Sequence, residues 1–251
     1  MIEAGLRTIT ESGIQVDGKI LGNENSGQLI ICSHGFGVLS DSHGMYNQIC
    51  ETFKDSYLTA RFHYVSVDEL TNSTYVYEFS RQVQKLKTVY EKLVKKYNIK
   101  KVVIIAHSQG CTITSLFLKE FSPLVDKVIM LAYPPNTDIS QKMFKFFGSR
   151  VGAKINLKGL STFPRSNGMT TIVPAVFWTE ADKTNPPELF KYVNSRYDTY
   201  FIRATGDTVV SSDKYYLLDP KNLKHYYELP NDHDFKEDKR LGLLNLLNNI
   251  L

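Results

Sequence analysis

Cysteine is scarce: the 251 residues include only Cys32, Cys50 and Cys111. They form no metal-spaced pair and no even-numbered set, which argues against a disulfide framework and a cysteine-based zinc site. Each sits in an apolar segment and is expected as a small core residue. Strong charge is also lacking. The net charge is +4, too small to imply nucleic acid as a partner. The densest basic group, Lys95-Lys96 and Lys100-Lys101, reads as a solvated helix end. A sequence pI of about 8.7 tips the balance only slightly towards acidic substrates. No apolar run is long enough to span a bilayer. The start, MIEAGLRTIT, lacks the basic residues and apolar stretch of a signal peptide. The expectation is a cytoplasmic protein with no membrane span, no internal repeat and no low-complexity segment.

What is present has a strand–helix rhythm. Val102 to Ala106 is an unbroken apolar run rich in β-branched residues, as in a strand covered by helices on both faces. It stops at His107-Ser108-Gln109-Gly110. After it, Ile113, Leu116, Phe117 and Phe121 recur at helical spacing. The order is therefore strand, sharp turn, helix, with Ser108 at the apex. Ala106 and Gly110, two residues to either side, are small enough for strand and helix to pass closely.

The remaining chain extends the pattern. Residues 5–21 hold two alternating stretches that predict an antiparallel hairpin. Gln28 to Ser33 predicts a buried strand running into His34-Gly35-Phe36-Gly37. A short helix is expected over 44–56, a strand over Tyr57 to Tyr64, and a long amphipathic helix over 78–97. Lys127 to Tyr133 is the next strand. The rhythm breaks over 136–196, which holds Phe144, Phe146, Phe147, Phe163, Phe177 and Trp178 among prolines and glycines. It resumes with a strand from Thr199 to Ala204, a short helix from Ser212 to Leu218, a strand from Leu223 to Leu229 and a helix over 236–250. Strands alternating with helices predict an α/β fold, a mostly parallel eight-stranded sheet flanked by helices. Residues 1–135 and 197–251 form its core, and 136–196 a small cap insertion folded over the carboxyl edge of the sheet.

Loops after parallel strands gather at one sheet edge, where open α/β sheets place their sites. Four such loops carry Phe36, Ser108, Asp207 and His233. A serine alcohol needs a general base to take its proton as it attacks. Histidine, with an unperturbed pKa of about 6.5, suits that role. A carboxylate would orient the ring, and N–H donors would hold the developing oxyanion. The N–H groups of Phe36 and Gln109 are placed for that. Other residues fit these roles less well. Asp213 sits inside the short helix, and Asp232 and Asp234 lie too near His233 in sequence. His225 and His63 fall in strands, His43 precedes a helix, and His34 and His107 are expected to shape their loops.

With A-H-S-Q-G, H-G-F-G, G-D-T-V-V-S and the late His233 in this order, the chain resembles the α/β-hydrolase superfamily. Alanine stands where the serine turn of that family usually has its first glycine. The resemblance covers nearly everything outside 136–196 and points to the esterase-like branch of cinnamoyl and feruloyl esterases. It implies Ser108 as nucleophile, His233 as base, Asp207 as orienting acid, and Phe36 and Gln109 as oxyanion donors. The function implied is cleavage of a small-molecule carboxylic ester through an acyl-enzyme, with no metal or organic cofactor. Met143, Phe144, Phe147, Phe177 and Trp178 are the candidate pocket residues. A thioesterase or an aminopeptidase-like enzyme would use the same residues, the latter with Glu180 and Asp182 as an acidic site for a free amine. A non-catalytic ligand-binding homologue is the alternative from another class. Relatives with Asp or Cys at the serine position, dehalogenases and dienelactone hydrolases, are disfavoured.

Overall fold

A computed structural model describes residues 1–210, 218–236 and 240–251. The chain opens with the hairpin of β1 (Ile2–Ile9) and β2 (Gln15–Gly22), which pair antiparallel. Then come β3 (Gln28–Ser33), α1 (Met45–Phe53), β4 (Leu58–Phe62), β5 (Val65–Asp68), β6 (Ser73–Val76) and α2 (Phe79–Lys96). The central unit is β7 (Lys101–His107), α3 (Gln109–Phe121) and β8 (Lys127–Leu131). Next are α4 (Ile139–Phe147), β9 (Leu160–Pro164), β10 (Thr170–Pro174), α5 (Ala175–Lys183) and α6 (Pro186–Arg196). The chain closes with β11 (Asp198–Ala204), β12 (His225–Leu229) and α7 (Arg240–Ile250). The helix expected from Ser212 to Leu218 falls almost wholly outside the described residues.

The main sheet has eight strands in the order β1-β2-β4-β3-β7-β8-β11-β12. Strands β4 to β12 of that order run parallel, and only the β1–β2 and β2–β4 pairs are antiparallel. The sheet is therefore mixed, with its antiparallel pairs confined to one edge. The period-2 geometry of a strand explains the buried runs, because successive side chains enter opposite layers. Along β7, Val102, Ile104 and Ala106 join the core on one face, while Val103 and Ile105 join that on the other. Along β3, Leu29 and Ile31 part from Ile30 and Cys32 in the same way. Helices α2, α3 and α6 cover the first face, α1 and α7 the second. The predicted stripe of α2 is its buried side: Phe79, Val83, Leu86, Val89 and Leu93. All three cysteines are free and buried. Among the described residues, no helix is long and apolar enough to cross a membrane.

A second sheet was not evident from the sequence pattern. It has four strands in the order β5-β6-β10-β9. Its central pair, β6 and β10, is parallel and joins Ser73 to Thr170, far apart along the chain. The stretch 136–196 thus holds regular structure: α4, the β9–β10 hairpin, α5 and α6. Helix α6 begins at Pro186-Pro187 and is capped by the Asn185 side chain, which accepts from the Glu188 N–H at 3.3 Å. It packs against α3 and leads back into β11 of the main sheet.

Candidate active site

Ser108 is held between β7 and α3 with φ 54° and ψ −127°. That backbone conformation is unfavourable for a residue with a Cβ, at a cost of about 1–3 kcal/mol that the surrounding structure must offset. Two hydrogen bonds fix it: the Ser108 N–H to the Leu131 carbonyl, and the Cys111 N–H to the Ser108 carbonyl, both 2.9 Å. The neighbouring small residues follow from close packing. A Cβ on Gly110 would stand 2.1 Å from the Ser33 carbonyl oxygen and 2.7 Å from that of His34. The end of β3 therefore crosses the first turn of α3 at a distance that only glycine permits. A Cβ on Gly35 would lie 3.1 Å from that of Ser108. This brings the H-G-F-G loop directly against the serine.

Asp207 and His233 reach the same point from the ends of β11 and β12. The two loops are tied together by the Gly206 N–H donating to the Asn231 carbonyl at 2.9 Å. Asp207 Oδ1 accepts from the N–H groups of Val209 and Val210 at 2.7 and 2.9 Å. Its Oδ2 lies 2.7 Å from His233 Nδ1, and the carboxylate side chain is only 2 % exposed. His233 Nε2 lies 2.9 Å from Ser108 Oγ. An ionised Asp207 accepts the proton of Nδ1, which leaves Nε2 with its lone pair facing the serine hydroxyl.

The other histidines hold loops. His107 Nε2 donates to the His233 carbonyl at 2.7 Å and so grips the loop that carries His233. Burial keeps His107 neutral by pushing its pKa well down, and the nearby His233 adds to the effect. His34 Nε2 accepts from the Tyr64 N–H, and its Nδ1 donates to the Gly35 carbonyl, both at 2.9 Å. Burial pushes the His34 pKa down to about 3. His63 accepts from the Ser40 N–H at 3.1 Å, and His225 pairs with Asp198 at 3.0 Å while stacking on Tyr200. Asp232 pairs with Lys236, and Asp213 lies outside the described residues. Phe36 follows Gly35, and among the described residues its N–H makes no hydrogen bond to backbone. Gln109 opens α3, where the first N–H groups have no acceptor within the helix.

Ser108, His233, Phe36 and Gln109 all line a cavity of about 480 Å³. Of the five expected pocket residues, Met143 and Phe147 line it too. Phe144, Phe177 and Trp178 do not, and this corrects the expectation. Helix α5 turns Phe177 and Trp178 inward, where they are 0 % and 2 % exposed. The Phe144 and Trp178 rings meet at 4.6 Å, and Phe177 backs the Phe36 ring at 5.5 Å. These three support the wall from behind. The lining also includes Phe79, Phe146, Arg150 and Arg165, none of which was among the expected pocket residues. Glu180 and Asp182 lie away from the cavity. Glu180 instead accepts from the Ser80 N–H and hydroxyl at 2.8 Å, capping the first turn of α2. Among the described residues, one set of potential metal ligands converges: His107, His233 and Asp234, with donor atoms within 4.8 Å of one another. His107 Nε2 and both ring nitrogens of His233 are already engaged by the hydrogen bonds described above, and His107 Nδ1 lies 3.4 Å from Ser42 Oγ.

A family model described as an alpha/beta hydrolase of unknown function (DUF900) matches residues 14–157. No curated protein matches the chain in sequence. Many solved structures resemble it in fold. The esterase domain of a Rhodothermus marinus protein is 14% identical, with a TM-score of 0.70 over 99% of this chain and 97% of that one. Est1E from Butyrivibrio proteoclasticus is also 14% identical, with a TM-score of 0.69 over 98% and 96%. A thioesterase domain from the curacin biosynthetic pathway is 12% identical, with a TM-score of 0.65 over 99% and 100%. At these identities the likeness is one of fold.

Proposed function

Because the chain belongs to the α/β-hydrolase family whose model spans residues 14–157, we propose that it is a serine hydrolase that cleaves carboxylic esters through an acyl-enzyme. The observation that carries this reading is the hydrogen-bonded series Asp207–His233–Ser108, with links of 2.7 and 2.9 Å, opening on one cavity. Ser108 Oγ attacks the ester carbonyl while His233 Nε2 takes its proton. Asp207 holds the ring and stabilises the imidazolium that forms. The carbonyl oxygen gains negative charge as its carbon becomes tetrahedral. The N–H groups of Phe36 and Gln109 receive it, each contributing about 3–4 kcal/mol to lowering the barrier. Collapse of the intermediate expels the alcohol, which leaves with the proton from His233. A water deprotonated by the same nitrogen then attacks the acyl-serine, and a second collapse frees the acid and restores Ser108.

Two of the esterase-named neighbours agree with this reading, and the curacin thioesterase domain favours a second one. A thioester presents the same carbonyl to the same serine, and only the leaving atom differs. The peptidase alternative loses its support, because Glu180 caps α2 and neither Glu180 nor Asp182 faces the cavity. Hydrolysis of p-nitrophenyl esters from acetate to laurate, beside an acyl-CoA, tests the proposal. Turnover of esters that falls on the order of 10⁴-fold or more in Ser108→Ala supports it. Thioester turnover without ester turnover moves the assignment to a thioesterase. Equal rates in wild type and Ser108→Ala overturn both.

A further inference from the structure

The cavity wall carries positive charge that ester cleavage alone does not use. Arg150 lies just after α4, and Arg165 just after β9. Their guanidinium carbons stand 4.9 and 5.0 Å from the centroid of one ring, Phe147. Each head is anchored by one N–H to a backbone carbonyl: Arg150 Nη1 to Pro164 at 3.1 Å, and Arg165 Nη2 to Phe36 at 3.5 Å. A guanidinium has five N–H donors, so most remain. Arg165 Nη1 is buried with no hydrogen-bond partner. Among the described residues neither arginine forms an ion pair with a carboxylate. Asp234 lines the same cavity and attracts Arg165, but from beyond ion-pair distance. Burial, reinforced by the neighbouring Arg150, pulls the Arg165 pKa down to about 10, which still leaves it a cation at neutral pH.

Two guanidiniums around one ring repel each other, and among the described residues neither carboxylate of the lining, Asp41 or Asp234, forms an ion pair with them to offset that repulsion. Each is also planar and presents paired donors, the geometry that recognises carboxylate or phosphate oxygens. The geometry points to an anion subsite: Arg150 and Arg165 together hold a carboxylate or phosphate group of the substrate while Ser108 attacks its ester or thioester carbonyl. This rests on the reading of Ser108 as nucleophile and narrows the substrate class to acyl compounds that carry a negative charge. The charge can sit on the acyl side or on the leaving group, and the position of the two arginines is compatible with either.

Paired substrates test the subsite. Mono-p-nitrophenyl glutarate against p-nitrophenyl valerate places the charge on the acyl side. S-butyryl phosphopantetheine against S-butyryl pantetheine places it on the leaving group. The wild type is expected to favour the charged member of one pair at least tenfold in kcat/KM, and the pair that responds identifies the side. Arg150→Gln and Arg165→Gln should each reduce that ratio about tenfold, mainly through KM, with Arg150→Lys retaining part of it. Turnover of the uncharged substrates with no preference for either charged one would overturn the subsite and leave the hydrolase reading intact. If nothing is turned over and no fluorophosphonate adduct forms, the hydrolase reading fails. Calorimetry with glutarate and with inorganic phosphate then decides the subsite independently. Binding lost in Arg150→Gln supports it, and no binding of either anion to the wild type overturns it.

Discussion

Asp207 illustrates how much one side chain must satisfy. Its two oxygens receive two backbone N–H groups and the His233 ring, and the carboxylate is almost fully enclosed. Asp207→Asn keeps the shape but offers an N–H₂ or a neutral oxygen to Nδ1, favouring the wrong tautomer. The expected result is a fall in kcat of about 10⁴-fold with the fold intact, read by esterase kinetics beside circular dichroism. His34 gives a stability prediction. Its folded pKa of about 3 lies below that of an unfolded histidine, so the unfolded chain binds the proton first as pH falls. The contribution of a neutral His34 is complete above pH ~6.5 and is lost progressively from there towards pH ~3, by at most about 1.4 kcal/mol per pH unit. Urea midpoints should therefore drop between pH 7 and pH 4.5, less steeply in His34→Gln. An equal slope in the two proteins would remove His34 as the cause.

At the scale of elements, the chain was readable where one segment determines its own surroundings. β3 and β7 are apolar along their centres, Leu29 to Cys32 and Val102 to Ala106, because both faces are covered. The stripe on α2 follows from 3.6-residue periodicity, and the small residues at 106 and 110 mark the serine turn. That turn predicts a sharp response. Gly110→Ala forces a Cβ onto the Ser33 and His34 carbonyls, which should cost about 1–3 kcal/mol of stability and displace Ser108, lowering both Tm and kcat. Unchanged Tm and kcat would contradict the crossing of β3 and α3. The small sheet was not readable, because β5, β6, β9 and β10 have only four or five residues each. Local cues existed. Asp68 accepts from the Leu70 and Thr71 N–H groups in the β5–β6 turn, and Ser166-Asn167-Gly168 marks the β9–β10 turn. The parallel pairing of β6 with β10 depends on partners remote in sequence, which no window reveals. The pocket wall was misassigned for a related reason. Aromatic content identifies a packed cluster, but the packing of α5 against α2 and α4 decides that Phe177 and Trp178 face inward.

At the scale of the whole molecule, the loops of the main sheet supply Ser108, Asp207 and His233, the proposed reacting groups, and the stretch containing α4 and β9 supplies the arginine pair. Arg165 joins them, because it also donates to the carbonyl of Phe36 in the loop beside Ser108. The net charge of +4 and the cations of the cavity wall act in the same direction on an anionic substrate. For such an ester, kcat/KM should fall as ionic strength rises from 0.02 to 0.5 M (values about 20 Å and 4 Å in screening length). For its uncharged counterpart it should stay nearly flat, and parallel responses would count against the charge argument. The four loops that carry Phe36, Ser108, Asp207 and His233 were accessible from sequence because parallel strands deliver their C-terminal loops to one edge. The arginines were not, because their convergence on Phe147 arises only when α4 and β9 are folded.

Whether Ser108 is a nucleophile is read directly by intact-protein mass spectrometry after treatment with a fluorophosphonate. A single covalent adduct is expected that maps to Ser108, disappears in Ser108→Ala and forms much more slowly in Asp207→Asn. No adduct on the folded wild type, or an adduct that persists in Ser108→Ala, would contradict that role.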